Sequence, residues 1–159
     1  MSDARWLEVF ADVDDAVTHF SNSVRLHEAG GLVGEDLDAY RGRMAFMHAV
    51  QAGHTSLESA LLRTLDILHE QRPSGEQWHR DLISRASKET PGEAARPAIL
   101  PPELAADADE TRRFRNLAMR SYGSFDAAKA RYTVAAALEL AENLVEAFRR
   151  FRDLVDPAD

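Results

Sequence analysis

WLEVFADVDDAVTHFSNSV, residues 6–24, decides the fold. Its apolar side chains Trp6, Val9, Phe10, Val13, Val17, Phe20 and Val24 recur at the three- and four-residue spacing that stacks them on one face of an α-helix. Asp12, Asp14, Asp15 and Ser21 take other positions. Gly30-Gly31 then stops the helix, as glycine past a helix C-terminus commonly does.

The same period runs on along the chain. A second helix is expected from about Glu35 to Glu70, with Met47, Val50, His54, Leu57, Leu61, Leu65 and Leu68 as its buried stripe. Gly42 and Gly53 on it allow a close neighbour or a bend. After the turn Gln71-Arg72-Pro73-Ser74-Gly75, a short third helix carries Trp78, Leu82, Ile83 and Ala86. Residues Lys88 to Pro102 form a proline-rich loop, and Pro101 and Pro102 suit a helix's first turn, where no backbone N–H is needed.

A fourth helix is expected from about Pro102 to Tyr122, ending at Gly123. A fifth begins near Ser124 to Asp126 and buries Leu140, Leu144, Ala147, Phe148, Phe151, Leu154 and Val155. No alternating β pattern of useful length occurs. The expected class is all-α, a four- to five-helix up-and-down bundle, with residues 1–159 as a single domain.

Composition narrows the function classes. With 45% apolar and 29% charged residues the chain has the make-up of a folded globular protein. It has no cysteine, which excludes disulfides, thiolate catalysis and cysteine metal sites, and suits a reducing cytosol. No signal peptide is visible at the N-terminus, and no apolar stretch nears the roughly 18 residues that span a bilayer. A cytoplasmic protein with no membrane partner is expected. The net charge of −8 argues against nucleic-acid binding over the whole surface, but leaves room for a local basic site.

That site is TRRFRNLAMRSY, residues 111–122, with four arginines in nine residues of an otherwise acidic chain. Arginine is always charged and presents a planar fork of donors suited to phosphate. On a helix Arg112, Arg115, Met119 and Tyr122 share one face; Arg113, Asn116 and Arg120 share a neighbouring one. The reading from charge alone is a solvated face paired with acidic neighbours. The functional reading is a site for phosphate or the RNA backbone.

The segment resembles the HEPN ribonucleases, and within them the HepT branch. The family pattern is Arg, a polar residue, three further positions and His, with a Tyr two residues later in the HepT branch. Arg115, Asn116 and Tyr122 match it, flanked by Phe114 and Gly123. Further pieces are His54-Thr55-Ser56-Leu57-Glu58, the run Gln77-Trp78-His79-Arg80-Asp81-Leu82, and Arg96-Pro97, so the resemblance spans roughly residues 45–150.

The resemblance implies a toxin of a toxin–antitoxin module that cuts RNA without metal or cofactor. It implies a homodimer with Arg115, Asn116, Arg120 and Tyr122 lining the seam. Arg112, Arg113, Arg115 and Arg120 would bind RNA phosphate. Tyr122 would be the residue to which a partner minimal nucleotidyltransferase, the antitoxin, adds AMP.

One departure bears on the chemistry. The family's catalytic histidine falls on Arg120, and a guanidinium with a pKa above about 12 cannot act as a general base near neutrality. It can bind phosphate or stabilise a pentavalent oxyanion. Cleavage is therefore expected to be impaired unless another group compensates. The alternatives are a non-catalytic HEPN partner that binds nucleotide, RNA phosphate or a nucleotidyltransferase, and a helical adaptor whose arginines form only surface ion pairs.

All six histidines lie in the N-terminal half. His54, on an apolar stripe, is expected to be a hydrogen-bonded core residue. His79 is expected to be partly exposed on its short helix. His54 and Glu58 have spacing that could hold a metal, but without the further ligands that would make the signal specific, so none is expected.

Overall fold

The computed structural model describes residues 2–120 and 125–157, with side chains at all of these except 118–120. Five helices follow one another: α1 (Trp6–Ala29), α2 (Leu37–Ile67), α3 (Trp78–Ala86), α4 (Pro102–Arg120) and α5 (Ala127–Val155). Among the described residues no strand forms. Thr90 and Arg96 make an isolated antiparallel bridge in the loop before α4.

The helix ends are fixed by local chemistry. Asp36 accepts a hydrogen bond from Ala39 N at 2.7 Å and caps α2. Asp126 accepts from Ala128 N and Lys129 N and caps α5. Both satisfy N–H groups that a first turn otherwise leaves without partners. Pro102 opens α4 as its sequence position requires. Gly123 and Ser124, expected at the α4–α5 turn, lie outside the described residues.

The four long helices close into a ring in which α1 packs on α2 and α5, and α4 packs on α5 and α2. The short α3 lies against α2 and α4. Trp6, Val9, Val13, Phe20 and Val24 of α1 are buried, with Phe10 and Val17 packed at the margin of the core. Phe20 meets α2 at Gly53, where a Cβ would stand 2.7 Å from its ring, so glycine is required for the two helices to approach. Leu57, Leu61 and Leu65 of α2 and Leu140, Leu144, Phe148 and Phe151 of α5 fill the same core. One expected core residue is not there: Leu154 is 70% exposed, while Phe151 and Val155 are the residues of that end of α5 turned to the core.

A second cluster of buried residues, Leu32, Phe46, Met47, Val50 and Ala130, forms beside the end of α4. Phe114 of α4 packs edge-on against Phe46, with ring centroids 5.6 Å apart. This contact anchors the arginine segment of α4 on α2. No helix among the described residues is long and apolar enough to cross a membrane.

Candidate functional site

The buried face of α4 runs through Leu104, Ala108 and Thr111, and the next position on that lattice is Arg115. The buried face of α2 carries His54, Leu57, Glu58 and Leu61. Packing α4 on α2 therefore aims a guanidinium at a carboxylate. Arg115 Nη1 donates to Glu58 Oε1 at 2.8 Å, with side chains 19% and 5% exposed.

The third element of the cluster is α3. Gly75, at φ 99° in the left-handed region that favours glycine, turns the chain into this helix. Leu82, Ile83 and Ala86 bury its inner face. Behind it, the buried Arg96 donates to both carboxylate oxygens of Glu70 and to the carbonyls of Lys88 and Pro97, holding the following loop in place. His79 thereby reaches Glu58: its Nδ1 lies 2.5 Å from Oε2, and the ring is stacked on Trp78 with centroids 3.7 Å apart.

These distances assign the protons. A carboxylate only accepts, so His79 Nδ1 carries the proton it shares with Glu58. Arg115 Nη1, 3.5 Å from the same nitrogen, is a neighbour of that hydrogen bond rather than its acceptor. On the other side His54 is fully buried, with Nδ1 2.9 Å from Thr111 Oγ1 and Nε2 3.6 Å from Glu58 Oε2. The Thr111 hydroxyl donates to the Ala108 carbonyl at 2.9 Å, so it accepts from His54 Nδ1, and Nε2 is turned towards the Glu58 carboxylate.

Burial, the largest influence on Glu58, raises its pKa. Hydrogen bonding and electrostatic attraction from His54 and then from His79 outweigh it and hold the carboxyl below its usual range. Glu58 is thus an anion inside the protein, kept there by donors from α3 and α4 and faced by His54 of its own helix. Among the described residues two buried side-chain nitrogens have no hydrogen-bond partner, and both belong to this cluster: Arg115 Nε and His54 Nε2.

The remaining arginines behave differently. Arg112 pairs with Asp109 at 2.7 Å, and Arg113 with Glu110 at 2.9 Å, each one turn back on α4. Arg113 is also the more exposed, at 60%. Asn116 points to solvent. The side chain of Arg120, and the whole of Tyr122, lie outside the described residues. The arginine segment is therefore split: Arg115 reaches across to α2, while the half-buried Arg112 and the exposed Arg113 pair with carboxylates on their own helix.

His54 is the buried, hydrogen-bonded residue expected of it, and His79 is partly exposed as expected, at 31%. What sequence reasoning did not assign is the role of Glu58 and the meeting of His79 with Arg115. One signal was available: an acidic residue beside Leu57 on an apolar stripe, one turn after a histidine, must find donors if it is buried. Among the described residues no group of three or more His, Asp or Glu side chains is set to hold a metal ion.

Comparison with known proteins gives no match among curated sequences and none among solved structures. A family model described as "HepT-like protein" matches residues 45–155, a stretch that holds His54, Glu58, His79, Thr111 and Arg115, and the chain belongs to the HepT-like family.

Proposed function

We propose that the chain is a HEPN-type ribonuclease working as the toxin of a toxin–antitoxin pair. RNA would be cut by attack of a ribose 2′-hydroxyl on the adjacent phosphorus, with the protein's own side chains supplying the catalysis. The observation that carries this reading is Arg115. It is placed on the inner face of α4, held by Glu58, and its Nε has no partner among the described residues. A guanidinium has five N–H donors, and Glu58 takes one, so donors remain for the phosphate oxygens.

Arg112, Arg113 and Arg120 would extend the phosphate track, and Asn116, exposed one residue beyond Arg115, would contact the ribose or phosphate. Tyr122 would be the site at which a nucleotidyltransferase partner adds AMP and silences the toxin. The protein would act in the cytoplasm.

RNA binding is expected to weaken with salt, because each neutralised phosphate releases counterions. For single strands the slope is about −0.7 per contact in a plot of log affinity against log salt. Arg115→Ala should lower both the affinity and the steepness of that plot. Arg5→Ala should leave both as they are, since Arg5 lies on the N-terminal side of α1 and is tied to Asp3 at 2.7 Å. Titrations of fluorescent RNA between about 50 and 200 mM salt read the difference. Indistinguishable curves for Arg115→Ala and the parent would remove Arg115 from the RNA site.

Two copies of the chain would face each other at this site. Leu117 and Tyr132, on either side of the α4–α5 connection, are 51% and 68% exposed and would be covered by the partner copy. Two-fold pairing would also bring two basic segments together on an acidic protein. Light scattering at micromolar concentration should give twice the chain mass of 17.7 kDa. A strictly monomeric mass would contradict the shared seam.

A second reading, a non-catalytic HEPN partner that binds phosphate or a nucleotidyltransferase, is favoured by Arg120 standing where the family has its histidine. The two readings part on cleavage, since only the first turns RNA over.

A further inference from the structure

We infer that His79 is the general base of this site, taking the 2′-hydroxyl proton in place of the histidine that the chain lacks at position 120, with Glu58 orienting its ring. The inference rests on the reading of the chain as a ribonuclease. It starts from a juxtaposition that the linear order hides: His79, Glu58 and Arg115 come from α3, α2 and α4 and meet within 3.5 Å of one another.

Three features equip His79 for the task. First, the Nδ1 proton is committed to Glu58 at 2.5 Å, which leaves the lone pair on Nε2. Second, a buried carboxylate behind an imidazole stabilises the imidazolium that forms when Nε2 takes a proton, the part an aspartate plays behind the histidine of a serine protease. Third, the ring is held in plane by the stacked Trp78 yet remains 31% exposed, so a substrate can reach it. His54 has the opposite character. It is fully buried, bonded to Thr111 and faced towards Glu58, so it meets no substrate.

The step balances as follows. The 2′-hydroxyl gives its proton to His79 Nε2 as its oxygen forms a bond to phosphorus. The bond from phosphorus to the 5′ oxygen breaks, and that oxygen leaves with the bonding pair and takes a proton from water. The products are a 2′,3′-cyclic phosphate and a 5′-hydroxyl. Arg115, beside His79, donates to the non-bridging oxygens as charge builds on them. Base and phosphate clamp are thus held by the two oxygens of one carboxylate.

The test uses the full chain and total cellular RNA in buffer with chelator. His79→Asn is the variant of choice, because the asparagine amide can keep a hydrogen bond to Glu58 while offering no base. Its single-turnover rate should fall about a hundred- to ten-thousand-fold, the usual worth of a positioned acid–base group. Its RNA affinity should stay within about three-fold of the parent, as expected when only a transition-state interaction is lost.

The parent's rate should rise about tenfold per pH unit on the acid side and then level off, and this limb should vanish in the variant. The groups facing the ring are Glu58 and, beyond it, His54 from α2, and Arg115 from α4; none of them is altered by the substitution. A variant that cleaves at the parental rate with the acid limb intact overturns the inference and leaves the ribonuclease reading standing. A parent that cuts no RNA overturns the ribonuclease reading, and the role of His79 with it.

Discussion

Changing Arg115 to alanine is expected to slow RNA cleavage about a hundred- to a thousand-fold, the loss usually seen when one donor to a developing oxyanion is removed. The guanidinium stands 2.8 Å from Glu58 and beside His79, where a phosphate approaching the imidazole would meet it. Arg115→Lys separates charge from geometry. Lysine keeps the positive charge but has no planar fork, so it cannot hold Glu58 and two phosphate oxygens at once. Its rate should fall between those of the parent and the alanine variant. Single-turnover kinetics on one labelled RNA measure all three. Equal rates for parent and Arg115→Ala would show that Arg115 has no part in the chemistry.

Glu58→Ala is expected to cost about 3–5 kcal/mol of stability, because removing one partner of a buried ion pair leaves the other uncompensated. Arg115, only 19% exposed, would lose its carboxylate, and its Nε already has no partner among the described residues. His79 would lose its acceptor, and His54 the carboxylate that its Nε2 faces. Glu58→Gln should cost less, since the amide oxygen still accepts one hydrogen bond.

The pH dependence has a definite sign. The folded pKa of Glu58 lies below the ordinary value of 4.5, so its contribution is fully present above that value. It is lost as pH falls through the lower folded value. The stability gap between parent and Glu58→Gln should therefore be constant from neutrality down to about pH 5 and close only in stronger acid. Urea unfolding at several pH values reads it. A gap that closes between pH 6 and 7, or no gap, would mean that the carboxylate is not the anchor of the cluster.

The helices were legible because their apolar residues repeat with the helical period over long runs. Trp6 to Val24, Met47 to Leu65 and Leu140 to Phe151 each show which face is buried, and the described structure buries those faces. Helix ends were legible where a cap is chemical, as at Asp126, and less so at the last turn of α5, where Leu154 keeps the period but is exposed.

The cluster was harder to read. His54 and Glu58 share a face by their four-residue spacing, but the partners of Glu58 lie 21 and 57 residues further along, on other helices. Periodicity orients each helix toward the core. It does not say which residue of α3 or α4 arrives opposite a given residue of α2. The ion pairs of Arg112 and Arg113 were nearer to hand, since Asp109 and Glu110 stand one turn before them in sequence. Arg115 has Thr111, Arg112, Ala118 and Met119 three and four residues away, with no carboxylate among them, and finds one across the bundle instead.

The most direct test of the central claim, RNA cleavage by the side chains around Arg115, is the chemistry of the ends the protein leaves. Purified protein is incubated with total cellular RNA in excess chelator, and the fragments are mapped for their 3′ and 5′ termini. The account predicts 2′,3′-cyclic phosphates and 5′-hydroxyls, absent from a parallel incubation with Arg115→Ala. Intact RNA, or fragments that appear only with added metal and carry 3′-hydroxyls, would contradict it.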